Sequence, residues 1–210
     1  MSPARCTCNL TSAPHRRAQG ERLHVIITVS GKPGSGKSTI GKLLAARLGV
    51  DHLSAGDFMR QLAAERNLTV LELSEVAEAD AGIDREIDQR SARFGEIESD
   101  LVIDARLAWH FIPAAIKVFL DVSLDVAAER IFEAGRKAER ENIDLATTRR
   151  NIEERTRSES SRYLDYYGVD YLDLAHYDLV VDTSHVTVEQ IVDRILDYVA
   201  TVQTPGPPQG

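Results

Sequence analysis

The stretch Gly31-Lys32-Pro33-Gly34-Ser35-Gly36-Lys37-Ser38-Thr39 carries the densest chemical signal in the chain. Its spacing is G-x-x-x-x-G-K-[ST], and it follows an apolar, β-branched run over residues 24–30 and precedes a helical pattern over 40–48. In that setting each residue type has a task. The glycines let the backbone curl until its N–H groups converge on an anion at a helix start. Lys37 is expected to reach the outer phosphates of a nucleotide and Ser38 to ligate its Mg2+.

Further residues of phosphate chemistry recur downstream. Residues 54–60 read Ser54-Ala-Gly-Asp57-Phe-Met-Arg60, a turn feeding a helix with Asp57 placed to cap it. A hydroxyl, a carboxylate and an arginine there suit a second nucleotide, or simply a capped, solvated helix start. Asp104 ends a buried-type strand over 101–104, and Arg106 follows it. Ligands of doubly wound sheets sit at strand carboxyl ends, so Asp104 can hold magnesium's water shell and Arg106 can clamp a phosphate. Arg155, Glu159 and Arg162 stand at i, i+4 and i+7 and share one helix face. That trio can bind phosphate at its ends and a ribose hydroxyl in the middle, or form a solvated salt-bridge ladder. Arg85 lies in a charged run, 83–88, which belongs either to a solvent face or to an insert closing over an acceptor. Arg136, Lys137 and Arg140 form a short basic segment able to close over bound ATP, or an exposed loop.

The elements that must position these groups are readable from periodicity. Helical spacing predicts helices over 40–48, stopped by Gly49, over 124–134, carrying Arg130, over 145–167, and over 188–199 with Ile191, Val192, Ile195, Leu196 and Val199 inward. Strands are expected at 51–53, 101–104, 115–121 and 177–182. Residues 67–94 read as two or three short amphipathic helices.

Composition bounds the rest. The 210 residues, 43% hydrophobic, fit one domain, and a net charge of −8 opposes a general binder of nucleic acid or anionic membranes. No run is long enough to span a bilayer and no secretory leader is visible, so a cytoplasmic protein is expected. Cys6 and Cys8 lie in a Pro-, Arg- and Ser-containing segment without periodicity and cannot complete a zinc site. Residues 1–22 and 201–210 are expected to be disordered tails around a domain at 23–200.

Several stretches together resemble the nucleoside-monophosphate kinases, and among them the archaeal-type cytidylate kinases. They are Ile27-Thr-Val-Ser-Gly-Lys-Pro-Gly-Ser-Gly-Lys-Ser-Thr39, His52-Leu-Ser-Ala-Gly-Asp57, Ile83-Asp-Arg-Glu-Ile-Asp88, Ala128-Glu-Arg-Ile131, Ser158-Glu-Ser-Ser-Arg-Tyr163 and Tyr177-Asp-Leu-Val-Val-Asp-Thr-Ser184. The resemblance runs from about residue 23 to 199. It implies an α/β fold, the three-layer P-loop NTPase sandwich on a five-stranded parallel sheet. A helical flap at about 57–95 would bind the monophosphate, and a small lid would lie at about 135–145.

By the same resemblance Lys37 and Ser38 would bind ATP and Mg2+, and Ser54, Arg60, Arg106, Arg155, Glu159 and Arg162 would line the acceptor site. The rest of Gly31 to Thr39 and Arg130 are expected at ATP, Asp104 at Mg2+, and Asp57 and Arg85 at the acceptor, from their places along the chain. The implied reaction passes the γ-phosphoryl of ATP to CMP or dCMP, with Lys37, Arg106, Arg155, Arg162 and the lid residue Arg136 as the catalytic cations, in a monomer. Two departures stand out. Family members commonly carry Glu-Gly-Arg or Asp-Gly-Arg where this chain reads Asp104-Ala105-Arg106, and Ala134 and Gly135 intervene before Arg136. Rival expectations are an adenylate kinase, although that family's Asp-Gly-Phe-Pro-Arg is missing, and a kinase of small hydroxyl compounds with Asp57 or Asp104 as base. A nucleotide-dependent switch without efficient turnover is a third.

Overall fold

The structure, a computed structural model, describes residues 25–80, 82–86, 89, 100–135 and 141–203. The tail at 1–22 and the basic residues 136–140 lie outside the described residues, as do Asp88 and most of 87–99.

Five parallel strands form one sheet in the order β2-β3-β1-β4-β5, with β1 at Ile26–Gly31, β2 at Asp51–Ser54, β3 at Leu101–Asp104, β4 at Ile116–Asp121 and β5 at Leu179–Asp182. Such strands are buried on both faces and so read as apolar runs without alternation. One face packs on α1, Lys37–Leu48, and α7, Val188–Gln203. There Ile27, Val29, Val118 and Leu120 meet Ile40, Leu44, Ile191, Val192 and Ile195. Near the other face lie α4, Ala108–Phe111, and the long α6, Leu145–Tyr167. Phe119 there joins an aromatic cluster with Trp109, Tyr163, Tyr171 and Tyr177. This is a three-layer α/β fold on a five-stranded parallel sheet.

Between β2 and β3 runs a helical insert, α2 at Ala55–Glu65 and α3 at Val70–Ala79, followed by helical residues 82–86. It owns a separate small core of Met59, Leu62, Ala63, Val70, Leu73, Ala77 and Ile83. Between β4 and α6 lies α5, Leu124–Ala134, whose Ala127 and Ala128 pack with Ile152 of α6.

Local chemistry explains the element ends. α1 stops on Gly49 at φ 68, and α6 runs from an Asp144 cap to Gly168 at φ 66. Three expectations need correction. Ser54, not Asp57, caps α2: its hydroxyl accepts from the Asp57 amide at 3.2 Å. The closing helix continues to Gln203 instead of giving way at 201. Thr201, Val202 and Gln203 contain no helix breaker. The fifth strand begins at Leu179, because Asp173 caps a 3-10 turn at Leu174–His176 that ends on Tyr177. No described helix is long and apolar enough to cross a membrane.

Gly31 ends β1 at φ 144, and a Cβ there would lie 2.2 Å from the Leu120 carbonyl oxygen of β4. Gly31→Ala therefore pushes two central strands apart as the phosphate loop begins. We expect a loss of about 2–4 kcal/mol of stability in denaturant unfolding. An unchanged midpoint would show that the loop accommodates the methyl.

Candidate functional site

The segments that follow β1, β2 and β3 open onto a cleft of about 400 Å³. Its floor is the loop from Pro33 to Thr39. Gly34, at φ 77, lies so close to α5 that a Cβ would fall 2.8 Å from the Ala127 backbone, so this turn closes only without a side chain. α1 starts on Gly36 without any side-chain cap, which leaves its first amides uncommitted by side chains, as an anion site requires. The Lys37 ammonium donates to the Gly31 and Lys32 carbonyls at 2.8 and 2.9 Å. Burial, with Arg106 nearby, lowers its pKa to about 7, although Asp104 and Glu159 work the other way. Lys32 itself turns from the cleft and pairs with Asp121 at 2.6 Å.

At the mouth of β3, Asp104 Oδ2 accepts from Ser38 at 2.6 Å and from Ser54 at 2.9 Å. Neighbouring strands set this meeting, since Ser54 of β2 and Asp104 of β3 are in register. A carboxylate with two hydroxyls is an oxygen-only donor set, which suits a hard divalent cation that keeps much of its water.

Arg106 leaves β3 in the next step and ion-pairs with Glu159 of α6. Arg155 donates to the other Glu159 oxygen at 2.9 Å. Glu159 is 3% exposed. Burial opposes its charge, but Arg106 and Arg155 outweigh that and hold its pKa below the ordinary value. Arg106 is likewise buried, yet Glu159 keeps it charged with a raised pKa. One carboxylate thus offsets two guanidiniums, and a net positive charge faces the cleft.

Arg162 is engaged elsewhere. Its Nε donates to Asp84 at 2.7 Å, and Nη1 reaches the Ser74 carbonyl at 3.2 Å and the Ser158 hydroxyl. It still lines the cleft, as does Asp84, but it ties α6 to the helical insert. Tyr166 repeats that tie to the Ala77 carbonyl at 3.3 Å. Arg130 lines the opposite end beside Ile131, Val186 and Ile191, and binds the Thr183 carbonyl at 2.7 Å. Arg60 reaches the cleft wall while paired with Asp57.

The sequence-derived residues therefore separate into groups. Pro33 to Thr39, Arg60, Asp104, Arg106, Arg130, Arg155, Glu159 and Arg162 share the cleft. Ser54 joins through Asp104. Asp57 stands outside the lining, paired with Lys42 at 3.4 Å as well as with Arg60. Arg85 is on the exposed side of residues 82–86, whose inward positions are Ile83 and Asp84. Arg136 lies outside the described residues. Asp84 was missed. Its signal was the apolar Ile83 beside it, which marks the inward face of that turn.

Comparison with known proteins follows the same lines. The model of the cytidylate kinase-like family matches residues 26–185. A cytidylate kinase of Methanothermobacter thermautotrophicus is 42% identical over 165 residues, covering 79% of this chain and 99% of that protein. One from Halobacterium salinarum is 40% identical over 181 residues, covering 85% and 91%. Among solved structures, the shikimate kinase from Bacteroides thetaiotaomicron superposes with a TM-score of 0.60 at 18% identity, covering 84% of this chain and 98% of that one. At that identity the likeness is one of fold.

The Lys37 pKa has a thermodynamic consequence. With a value near 7 in the free protein, the amine is largely neutral at pH 8, and a bound polyphosphate raises its pKa and draws a proton in. Calorimetry of ATP binding at pH 8, in buffers of different ionisation enthalpy, should show proton uptake that fades as pH falls below 6. Heats independent of the buffer at pH 8 would contradict this.

Proposed function

The chain belongs to the cytidylate kinase-like family, and on that premise we propose that it transfers the γ-phosphoryl group of ATP to CMP, and to dCMP, releasing ADP and the cytidine diphosphate. The observation that carries this reading is the convergence of Lys37, Arg106 and Arg155 on one cleft whose wall is also the phosphate loop.

The chemistry explains why those cations matter. The acceptor phosphate is ionised at neutral pH, so its oxygen is already a nucleophile and no general base is needed. The obstacle is repulsion between two phosphate groups that must come together in line. Fixed positive charge in a site screened from water lowers that repulsion, most where charge is spread in the transition state. In this reading the glycine loop and Lys37 hold the outer phosphates of ATP, with Arg130 and its apolar neighbours at the nucleoside end. Arg106 and Arg155, kept rigid by Glu159, take the acceptor phosphate. Arg162 and Arg60 border the same acceptor space, and Arg136 belongs to the lid segment that would complete the cage.

Ser38 and Asp104 would hold Mg2+. When bound, that ion offsets charge on the nucleotide's outer phosphates. The helical insert acts as the acceptor flap, excluding water and so suppressing hydrolysis of ATP. The protein would work as a cytoplasmic monomer on a free nucleotide, without nucleic acid or membrane.

Two measurements test this. A coupled assay of ADP release across CMP, dCMP, UMP, AMP and simple alcohols should show turnover with the cytidine nucleotides far above the rest. ATP binding without any acceptor-dependent release would instead favour a nucleotide-operated switch. Arg106→Ala should lower kcat by about 10³-fold or more, the scale of one removed transition-state cation. A near-normal rate for purified Arg106→Ala would remove that residue from the mechanism.

A further inference from the structure

The cleft continues past the cations beside the phosphate loop. Arg155, Glu159 and Arg162 follow one another along about 10 Å of α6, at the usual rise of a helix. Arg155 marks the phosphate-loop end, where it borders a small hollow together with Pro33. Arg162 marks the other end, which the helical insert closes through Asp84 and the Ser74 carbonyl. A nucleoside monophosphate has about this reach from its phosphate to the far edge of its base, so an acceptor whose phosphate lies at Arg106 and Arg155 brings its base to Arg162.

What waits there is unlike a phosphate clamp. Asp84 and Arg162 are each 3% exposed, both line the cleft, and Asp84 Oδ2 accepts from Arg162 Nε at 2.7 Å. The pair is net neutral, which wastes a cation meant for an anion but suits a polar, uncharged group. Its apolar surroundings come from Met59, which shares the insert's core with Ile83, and from Leu107 and Tyr163, which share the aromatic cluster. These offer surfaces for the faces of a flat ring.

The two polar side chains also impose a pattern. A carboxylate only accepts hydrogen bonds, with acceptor sites beyond the one that Arg162 uses, and a guanidinium only donates. A base edge that satisfies both must carry a donor beside an acceptor. Cytosine does, with its N4 amino group next to ring N3. Uracil puts the O4 acceptor where the amino group would be, and two acceptors then face each other without a proton between them. Adenine repeats cytosine's order of donor and acceptor, so its exclusion falls to ring size.

We propose that Asp84 is a specificity-determining residue of the acceptor site, accepting a hydrogen bond from the cytosine N4 amino group while Arg162 faces the neighbouring acceptor edge. The inference rests on the cytidylate kinase reading above and deepens it.

The test compares kcat/KM for CMP, UMP, AMP and the 2-pyrimidinone ribonucleoside monophosphate, which lacks the amino group, in the full chain and in Asp84→Asn. Asparagine keeps the size of the side chain and can turn either an oxygen or an NH2 toward the base. In the parent, CMP should exceed both UMP and the analogue by about tenfold to a hundredfold. In Asp84→Asn the CMP-to-UMP ratio should fall about tenfold or more, and AMP should stay as poor a substrate as before. A side chain that only fastened the insert to α6 would lower CMP and UMP turnover alike, and an unchanged ratio would overturn the proposal. So would a gain for AMP equal to that for UMP, which marks a loosened site. Thermal unfolding keeps the comparison to folded protein. If Asp84→Asn does not fold, Asp84→Glu, which retains the carboxylate, should still prefer CMP to UMP; loss of that preference, or analogue turnover within about twofold of CMP in the parent, would overturn the proposal. A parent inert toward CMP removes the kinase reading and this inference with it. A parent that prefers CMP, with the same preference in Asp84→Asn, removes this inference alone.

Discussion

The arrangement depends on a carboxylate that should not be comfortable where it is. Glu159 is taken almost wholly out of water, and a lone buried carboxylate would protonate to escape the penalty. It stays charged only because Arg106 and Arg155 flank it, and they tolerate burial only because it lies between them. This mutual dependence fixes three side chains from two remote parts of the chain. It also leaves the group with one positive charge more than it needs, in a place where a phosphate can meet it. A site that must gather anions is thereby built from an ion cluster that is deliberately one anion short.

The sheet makes such a cluster possible. Parallel strands deliver their carboxyl ends to one edge, so Ser54, Asp104 and Gly31 emerge side by side although 23 to 73 positions separate them in sequence. Helix α6 then crosses that edge with its Arg155–Arg162 face toward it. On the other face of the sheet an aromatic cluster packs Leu107 and Trp109, just past Arg106, against Tyr163 of α6.

How much of this could be read beforehand follows the range of the interactions. The phosphate loop, the Gly49 stop and the Asp144-to-Gly168 extent of α6 are local matters of propensity and capping, and the residues alone carry them. The shared face of Arg155 and Glu159 is equally local, because i, i+4 spacing fixes it. What spacing could not decide was whether that face met solvent or the cleft, since its resolution came from Arg106 on another element. Asp84 was hidden for a similar reason. Its partner Arg162 is 78 positions away, and a charged run looks solvated until the fold supplies a buried cation. The reading of Asp57 as a cap failed by three residues. Ser54 and Asp57 both belong to the usual capping set, and only the path of β2 selected the first.

The Asp84–Arg162 pair has a mechanical consequence. It joins the helical insert to α6 by two opposite charges that are both shut away from water, so parting the two elements would leave each charge without its counter-ion. The insert is therefore fastened to the body of the protein by an ionic latch as well as by its own small core.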